Sequence, residues 1–188
     1  NMVVTRLNAG EIGEFDGLAG SHGAKTRLSR FRPSGAGCSA WDDFRLTREQ
    51  LLELSAFLGD HPGVLTGDSF FALTPDGRRA LGLNMCGAAR MTCAVAPDGS
   101  VYPCAFLCDP VFLAGNVTDR GLADIFESSP VFERFREEAV ETCRTCDRFS
   151  SCHGGCPAVA YFLTRSLDLP DPECLRAVVP ATSAKEVV

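Results

Sequence analysis

The chain has 188 residues, a hydrophobic content of 45%, a charged content of 22% and a formal net charge of −6. These values are typical of a globular protein, and no apolar run approaches the roughly 18 residues of a membrane-spanning helix, which excludes a membrane protein. The acidic balance and the scattered arginines exclude a nucleic-acid-binding footprint, because that requires clustered positive charge.

The first 60 residues predict alternating strands and helices. An apolar strand at residues 2–4 precedes a helix over about residues 11–22, and a second strand is expected over residues 25–31. Thr47 and Gln50 then form a capping box that opens a further helix. The inward face of this helix is predicted to carry Leu51, Leu54, Phe57 and Leu58. Strands that alternate with helices are typical of α/β construction.

The second half of the chain predicts smaller elements. Pro97-Asp98-Gly99 indicates a β-hairpin between residues 91–96 and 100–104, with the glycine at the position that needs a positive φ. Two short helices are expected near residues 122–128 and 131–138, and a last helix is expected to run through Phe162. The tail beyond Cys174 is expected to be loosely ordered.

Composition shifts sharply towards Cys and Gly near Asn84, which predicts a domain boundary. We therefore expect βα units over residues 1–60, a connector over 61–84, a cysteine-rich domain over 85–174 and a tail over 175–188. Two βα units cannot close a barrel by themselves, so a preceding part of the fold is expected upstream.

Ten cysteines are the anomaly of the composition. The N-terminal residues show no secretion or transit signal, so a cytoplasmic location is expected, and that compartment keeps thiols reduced. Nine of the ten lie beyond the predicted boundary. The cysteines are Cys38, Cys86, Cys93, Cys104, Cys108, Cys143, Cys146, Cys152, Cys156 and Cys174. Ligation of a metal or a metal cluster is therefore the leading hypothesis.

The segment 143–156, here called the knuckle, carries the most informative spacing. Cys143-x2-Cys146-x5-Cys152 places three thiolates on one tight loop, which leaves a fourth ligand to come from elsewhere. Cys156 is the nearest candidate, but it opens a helix before Pro157, so its sulfur is expected to point away. The bacterial ferredoxin run also ends in Cys-Pro, and its last cysteine ligates the other cluster.

This comparison predicts two sets of four ligands. The knuckle set comprises Cys143, Cys146, Cys152 and Cys174. The hairpin set comprises Cys86, Cys93, Cys104 and Cys156, with Cys93 and Cys104 brought side by side at the base of the hairpin.

The cysteine pattern resembles the SPASM domain of radical-SAM enzymes. The matching pattern is Cys86-x12-Gly99-x4-Cys104, then Cys143-x2-Cys146-x5-Cys152-x3-Cys156, then Cys174. Cys93 matches the eighth ligand of those members whose two auxiliary [4Fe–4S] clusters are fully ligated by protein. Shorter strings resemble mycofactocin-type maturases within this family: Thr66-Gly67-Asp68-Ser69-Phe70-Phe71, Gly82-Leu83-Asn84-Met85-Cys86-Gly87-Ala88, Phe112-Leu113-Ala114-Gly115-Asn116-Val117 and Asp171-Pro172-Glu173-Cys174.

The resemblance implies an α+β chain, in which the end of a partial radical-SAM (β/α) barrel is followed by a SPASM auxiliary-cluster domain. It implies a part of an oxidoreductase that decarboxylates and crosslinks the C-terminal Val-Tyr of a ribosomally made precursor peptide. The expected partners are that peptide and its small recognition chaperone, and the expected cofactors are two auxiliary [4Fe–4S] clusters.

The chain departs from the family pattern in one respect. Radical-SAM enzymes hold their catalytic cluster through Cys-x3-Cys-x2-Cys, and this triplet is absent, because Cys104-x3-Cys108 is followed by Val111 where the third cysteine would stand. S-adenosylmethionine and a third [4Fe–4S] cluster are therefore expected only in a missing N-terminal half. The chain alone is predicted to be inactive.

Other interpretations remain open at the level of the sequence. The cysteines could form a zinc-stapled structural domain or disulfides, and a stand-alone or truncated SPASM protein could transfer electrons or bind peptide without catalysis. Cys38 and Cys108 are expected to be inert. Arg27, Arg30, Arg32 and Ser34 lie on or after a barrel strand and could bind a carboxylate or a nucleotide, but surface solvation is the preferred interpretation. Phe70, Phe71 and Phe112 are expected in the core. A solvated helix face is expected to carry Glu133, Arg134, Arg136, Glu137 and Glu138.

Overall fold

The computed structural model of the chain describes residues 1–66, 86–137 and 140–176. Its strands and helices in these ranges are β1 (Met2–Val4), α1 (Ile12–Ser21), β2 (Leu28–Arg30), α2 (Gly37–Phe44), α3 (Arg48–Asp60), β3 (Ala94–Val95), β4 (Ser100–Tyr102), β5 (Gly115–Asn116), α4 (Leu122–Ser128), α5 (Pro130–Glu137), α6 (Phe149–Cys152) and α7 (Pro157–Thr164). None of the helices in the described ranges is long and apolar enough to cross a bilayer. The chain divides into two compact units, the first formed by Asn1–Cys86 and Val140–Val188 and the second by Gly87–Ala139.

The first unit begins with a parallel β-α-β arrangement. β1 pairs with β2 in parallel, with Met2 opposite Leu28 and Val4 opposite Arg30, and α1 connects the two strands. On its other side, β2 is bonded to the segment at Leu65, because the Leu28 N–H donates to the Leu65 carbonyl over 2.9 Å. The predicted strands and helix are confirmed, and a parallel ladder with helical crossovers is the repeating unit of a (β/α) barrel.

Helix α3 covers this ladder with an apolar face. The predicted capping box is confirmed, since the Thr47 side chain accepts the Gln50 N–H and the Gln50 side chain accepts the Thr47 N–H. The core cluster of this unit contains Val4, Ile12, Leu28, Leu46, Leu51, Leu54, Leu58 and Val64, and Phe57 packs against it. Each fully buried aliphatic side chain contributes about 1.5–3 kcal/mol of transfer free energy.

Helix α2 was not predicted, because the Gly- and Pro-rich stretch before it indicated only a turn. The helix forms because it buries Trp41, which is 3% exposed and stacks on Phe31 with ring centroids 5.9 Å apart. Phe44 contacts the same Phe31 ring at 5.8 Å. Tertiary burial of one indole therefore decides a segment whose local propensity favours a loop.

The second unit is built around the predicted hairpin. β3 and β4 pair antiparallel with Ala94 opposite Tyr102, and Gly99 has φ +85° in the turn. The strand β5, which was not predicted, extends the sheet on the other edge of β4. The predicted helices are confirmed as α4 and α5. The predicted core position of Phe112 is also confirmed, since its side chain is 3% exposed.

Three expectations fall on parts of the chain outside the described residues. They concern most of the connector, including Phe70 and Phe71, the side chain of Glu138, and the tail from residue 177 onwards. The division into four domains stays a prediction.

Candidate metal centre

The knuckle is a series of tight turns that place three cysteines on one loop. A short 3-10 turn, Glu141–Cys143, is continued by the Cys146 N–H, which donates to the Cys143 carbonyl over 2.9 Å. α6 then ends at Cys152, and His153 closes it in the left-handed conformation with φ 51°. Because each turn is held by main-chain bonds, the three thiols are placed by the backbone.

All four predicted ligands of the knuckle set line a single pocket. The pocket has a volume of about 350 Å³ with its open mouth included, and it lies entirely within the first unit. Its walls are Cys143, Cys146, Arg148, Phe149, Cys152, Gly154, Pro170, Cys174 and Arg176. Cys174 is 22 residues beyond Cys152, so only the tertiary fold brings its thiol to this pocket.

Two thiols of this pocket, those of Cys143 and Cys152, have a raised pKa in the metal-free chain. Burial raises the pKa of Cys152 to about 12, and the negative charge of Asp171 adds to this effect. Burial also raises the pKa of Cys143, although less of that side chain is covered. Since a thiolate is the ligand form of cysteine, binding of a metal group here must release protons.

Geometry separates a single ion from a larger group. Zinc holds four thiolates at about 2.3 Å, so their sulfurs must converge on one point. Among the described residues, no three His, Cys, Asp or Glu side chains converge closely enough to hold one metal ion. The four cysteines of the knuckle set instead line the walls of one pocket. All ten cysteines lie within the described ranges, and no disulfide joins any two of them.

Cys156 lies at the start of α7 and does not line the knuckle pocket. It is the N-cap residue of α7, Pro157 occupies the first turn as predicted, and Cys156 is 5% exposed. Within the described part of the chain, Cys174 lines the knuckle pocket and Cys156 does not. This agrees with an assignment in which the two residues serve different clusters.

A buried ion-pair network fixes the backbone beside Cys156. The guanidinium of Arg30 forks onto the carboxylate of Asp171 at 2.5 and 2.7 Å, and its Nε faces Glu173. The Cys156 N–H donates to the Asp171 carboxylate over 3.0 Å, so the network reaches a predicted ligand directly. Arg30 lies at the end of β2, which ties the parallel ladder to the knuckle.

The three charges of this network perturb one another. Burial opposes the charged form of Arg30, but Asp171 and Glu173 outweigh it and raise the pKa of the guanidinium. Burial alone would raise the pKa of Asp171, yet Arg30 and two main-chain N–H donors hold it below its usual value. For Glu173, burial outweighs the attraction to Arg30 and raises the pKa.

The expectation that Arg30 is solvated is wrong. Its residue exposure is 6%, and its ion-pair partners lie about 140 residues away in the chain. Arg30 lies two residues after Leu28 on β2, and the neighbouring sequence did not indicate that its partners are buried. The acidic Asp171-Pro172-Glu173 string before Cys174 was the only signal available, and it did not identify Arg30 as the partner.

Two consecutive glycines let the chain pass between the pocket and this network. Gly154 and Gly155 have φ +91° and +87°, and a Cβ at Gly155 would stand 2.4 Å from the Cβ of Asp171. A Cβ at Gly154 would meet Val140 at 2.7 Å. Both positions therefore require glycine for backbone conformation and for space.

Replacing Gly155 by alanine is expected to destabilise the chain by about 1–3 kcal/mol from backbone strain alone, and the overlap with Asp171 adds to this. Chemical denaturation of the iron-free chain measures the change. Gly17→Ala is the matched control, because Gly17 lies in α1 with nothing within 4 Å of a new Cβ. That control should raise stability by up to about 1 kcal/mol, and equal effects of the two changes would contradict the prediction.

The predicted ligands of the hairpin set are divided between the two units. Cys86 and Cys156 belong to the first unit, and Cys93 and Cys104 to the second. Within the second unit, Cys93 directly precedes β3 and Cys104 follows β4 by two residues, so both lie at the same end of the paired strands. This agrees with the predicted hairpin base.

Arg136 anchors the loop between Cys86 and Cys93, contrary to the expected solvated face. Its Nε donates to the Ala89 carbonyl over 2.8 Å, its other nitrogens donate to the carbonyls of Phe126 and Glu127, and the guanidinium lies over the Phe126 ring. The guanidinium thus satisfies carbonyls at the end of α4 and holds the loop against the helix.

The surplus cysteines form no part of the pocket. Cys38 is half-buried, and its Sγ donates to the Pro33 carbonyl over 2.9 Å. Cys108 is exposed and makes only long contacts with carbonyls of its own turn. Neither arrangement activates a thiol, and burial raises the pKa of both.

Comparison with protein families identifies the cysteine-rich segment. Residues 86–147 match the SPASM model, described as an iron–sulfur cluster-binding domain. The match begins at the predicted ligand Cys86 and includes Cys146. The remaining predicted ligands Cys152, Cys156 and Cys174 lie beyond its end.

Comparison with curated proteins extends the similarity to almost the whole chain. The mycofactocin maturase MftC of Mycobacterium ulcerans is 42% identical over 99% of the chain and 52% of its own length. MftC of Mycolicibacterium smegmatis is 43% identical over 93% of the chain and 46% of its length. A PqqA peptide cyclase of Methylocella silvestris is 32% identical over 93% of the chain and 48% of its length. The chain thus spans about half the length of these relatives.

Comparison with solved structures supports the fold class. The structure of native anSMEcpe with bound AdoMet and Cp18Cys peptide superposes with a TM-score of 0.61 at 20% identity, covering 92% of the chain and 51% of anSMEcpe. The same protein with bound AdoMet alone also gives a TM-score of 0.61. The prediction of a partial radical-SAM barrel followed by a SPASM domain is confirmed.

Proposed function

The chain is a SPASM-domain protein similar, over almost its whole length, to the C-terminal half of mycofactocin maturases, and from this premise we propose that it is the auxiliary-cluster part of a radical-SAM peptide maturase. The proposed cofactors are two auxiliary [4Fe–4S] clusters. The knuckle set ligates one of them, and Cys86, Cys93, Cys104 and Cys156 ligate the other.

One apolar pocket that is lined by the three thiols of the knuckle and by the distant Cys174 carries this proposal. The donors are chemically right, because protein thiolates are the usual ligands of [4Fe–4S] clusters. The space is also suitable, because the four cysteines line one pocket of about 350 Å³ with its open mouth included. The paired glycines at positions 154 and 155 bring main chain close to the pocket without side chains that would fill it.

The clusters supply one-electron redox chemistry when bound, at potentials that span roughly −700 to +450 mV across proteins. The chain's own residues hold and tune them. Burial at Cys152 and Cys156 lowers the local dielectric constant, and the charges of Arg30 and Asp171 lie beside the ligand backbone. Such surroundings set a cluster's potential, so this half is suited to pass electrons to or from a substrate radical.

Activity requires a second half of the protein. The Cys-x3-Cys-x2-Cys triplet that holds S-adenosylmethionine on a third cluster is absent from this chain, so we propose that it lies in an N-terminal part. The complete protein then decarboxylates the C-terminal tyrosine of a precursor peptide oxidatively and crosslinks it to the neighbouring valine. The names of the relatives support a peptide substrate, and a small chaperone that delivers this peptide is the proposed second partner.

Anaerobic reconstitution of this chain with iron and sulfide tests the proposal. Metal analysis should give about eight irons per chain with a matching amount of sulfide, as expected for two four-iron clusters. Visible absorption and electron paramagnetic resonance (EPR) after reduction should show two iron–sulfur signals. A colourless protein that binds zinc but no sulfide would contradict the proposal.

A further inference from the structure

We propose that Arg30 and Asp171 form a positioning pair shared by both clusters, which holds the main chain of Cys156 and Cys174 together and exerts its charge on both ligand sets. The inference rests on the proposed function, since it needs these two cysteines to ligate different clusters. Arg30 comes from the parallel ladder, whereas Asp171 comes from the segment after α7.

Asp171 makes hydrogen bonds to the main chain of both Cys156 and Cys174, the two ligands that are assigned to different clusters. Its carboxylate accepts the Cys156 N–H over 3.0 Å, and its carbonyl accepts the Cys174 N–H over 2.9 Å. Its own N–H donates to the Gly154 carbonyl over 2.9 Å, two residues beyond the ligand Cys152. One residue therefore sets the distances between main-chain segments that carry ligands of both sets.

Arg30 fixes the orientation of this carboxylate. Two parallel guanidinium bonds of 2.5 and 2.7 Å prevent rotation of the Asp171 side chain, as expected for a bidentate pair. The Glu173 N–H also donates to Asp171 over 3.0 Å. Hydrogen bonds from Arg30, Glu173 and Cys156 therefore hold the carboxylate in one orientation.

The charges of Arg30 and Asp171 are buried close to ligands of both sets. Asp171 is 2% exposed and Arg30 6%, so water screens them little. The Asp171 carboxylate accepts the Cys156 N–H of the hairpin set. The main chain of Asp171 bonds the Gly154 carbonyl, two residues beyond Cys152, and the Cys174 N–H of the knuckle set. The charge of Asp171 therefore lies beside ligands of both sets.

Asp171→Asn removes the negative charge with almost no change of side-chain size. Asparagine keeps an oxygen for the Cys156 N–H, but its NH2 replaces the oxygen that accepts from Arg30 Nη2 and the Glu173 N–H. In the reconstituted full chain, the iron content should equal that of the wild type, and the midpoint potentials of both clusters should shift to more positive values. Redox titration followed by EPR measures both potentials, and the Cys156→Ala variant assigns the two signals.

Asp147→Asn is the matched control. Asp147 lies beside Cys146, pairs with Arg176 and is exposed, so the same loss of charge touches the knuckle set alone. Loss of the Asp147 charge should shift the midpoint potential of at most one cluster. If Asp171→Asn also moves only one potential, or neither, the pair is not shared and the proposal is overturned.

Arg30→Lys provides a second route if Asp171→Asn loses iron. Lysine keeps the positive charge but cannot make the fork, so the EPR spectra of both clusters should change with the iron retained. Loss of all iron in both variants would mark the pair as part of the fold alone and would overturn the inference. A wild-type chain that binds no iron and sulfide would instead overturn the proposed function.

Discussion

Replacing Cys156 by alanine is expected to lower the iron content of the reconstituted chain from about eight to about four per chain, with the knuckle cluster retained. The reason is that Cys156 begins α7 outside the pocket, whereas Cys174 completes the pocket wall. Removing its sulfur should therefore leave the four thiols of the knuckle set intact.

Iron and sulfide analysis with EPR measures this result, and two further variants sharpen it. Cys174→Ala should give the reciprocal loss, with the knuckle signal gone and the other signal kept. Cys108→Ala is the control, because Cys108 is exposed and lies outside both predicted sets. If Cys156→Ala removes the knuckle signal instead, Cys156 and Cys174 have been assigned to the wrong clusters.

Replacing Arg30 by methionine is expected to destabilise the iron-free chain by about 3–5 kcal/mol at neutral pH, because it leaves two buried carboxylates without their cation. Asp171 and Glu173 have side-chain exposures of only 3% and 12%, so water cannot take the place of the guanidinium. The free energy of unfolding in urea measures the effect. Arg144→Met is the control, because Arg144 and Glu141 form an exposed pair whose loss should cost little.

The loss of unfolding free energy caused by Arg30→Met should become smaller as the pH is lowered. In the wild type, the pKa of Asp171 lies below its usual value, so its contribution is present above the unfolded pKa and is lost only as the pH falls through the folded pKa. In the variant, burial without a cation raises the pKa of both carboxyls, so stability is lost as the pH rises through their folded values. The wild type and the variant should therefore differ more at pH 7.5 than at pH 5, and a constant difference would argue against uncompensated charge.

Local patterns predicted the elements that form through neighbouring residues. The capping box of Thr47 and Gln50 and the turn at Gly99 are confirmed, because a cap and a tight turn are satisfied within a few residues. The same holds for the start of α7 at Pro157. The helix α2 was missed, because it exists through the burial of Trp41 against Phe31, which follows β2.

The candidate site was predictable in its residue types and spacing but not in its supports. The spacing of Cys143, Cys146 and Cys152 indicated a metal group directly, because a tight loop must aim neighbouring thiols at one place. Arg136 and Arg30 were expected to be solvated. Each instead satisfies groups that are distant along the chain, the Ala89 loop for Arg136 and Asp171 for Arg30.

The sequence by itself determined the class of fold, the cysteine-rich domain and the family resemblance, because these depend on periodicity, turn chemistry and ligand spacing that are written locally. The spacing also predicted that Cys174 and not Cys156 completes the knuckle set, but only the tertiary structure brought Cys174 to the pocket and decided that a buried arginine from β2 holds the backbone beside Cys156. The physical reason is that a buried charge and a fourth ligand are each satisfied by partners far away in the chain. No local pattern specifies which distant residue that partner is.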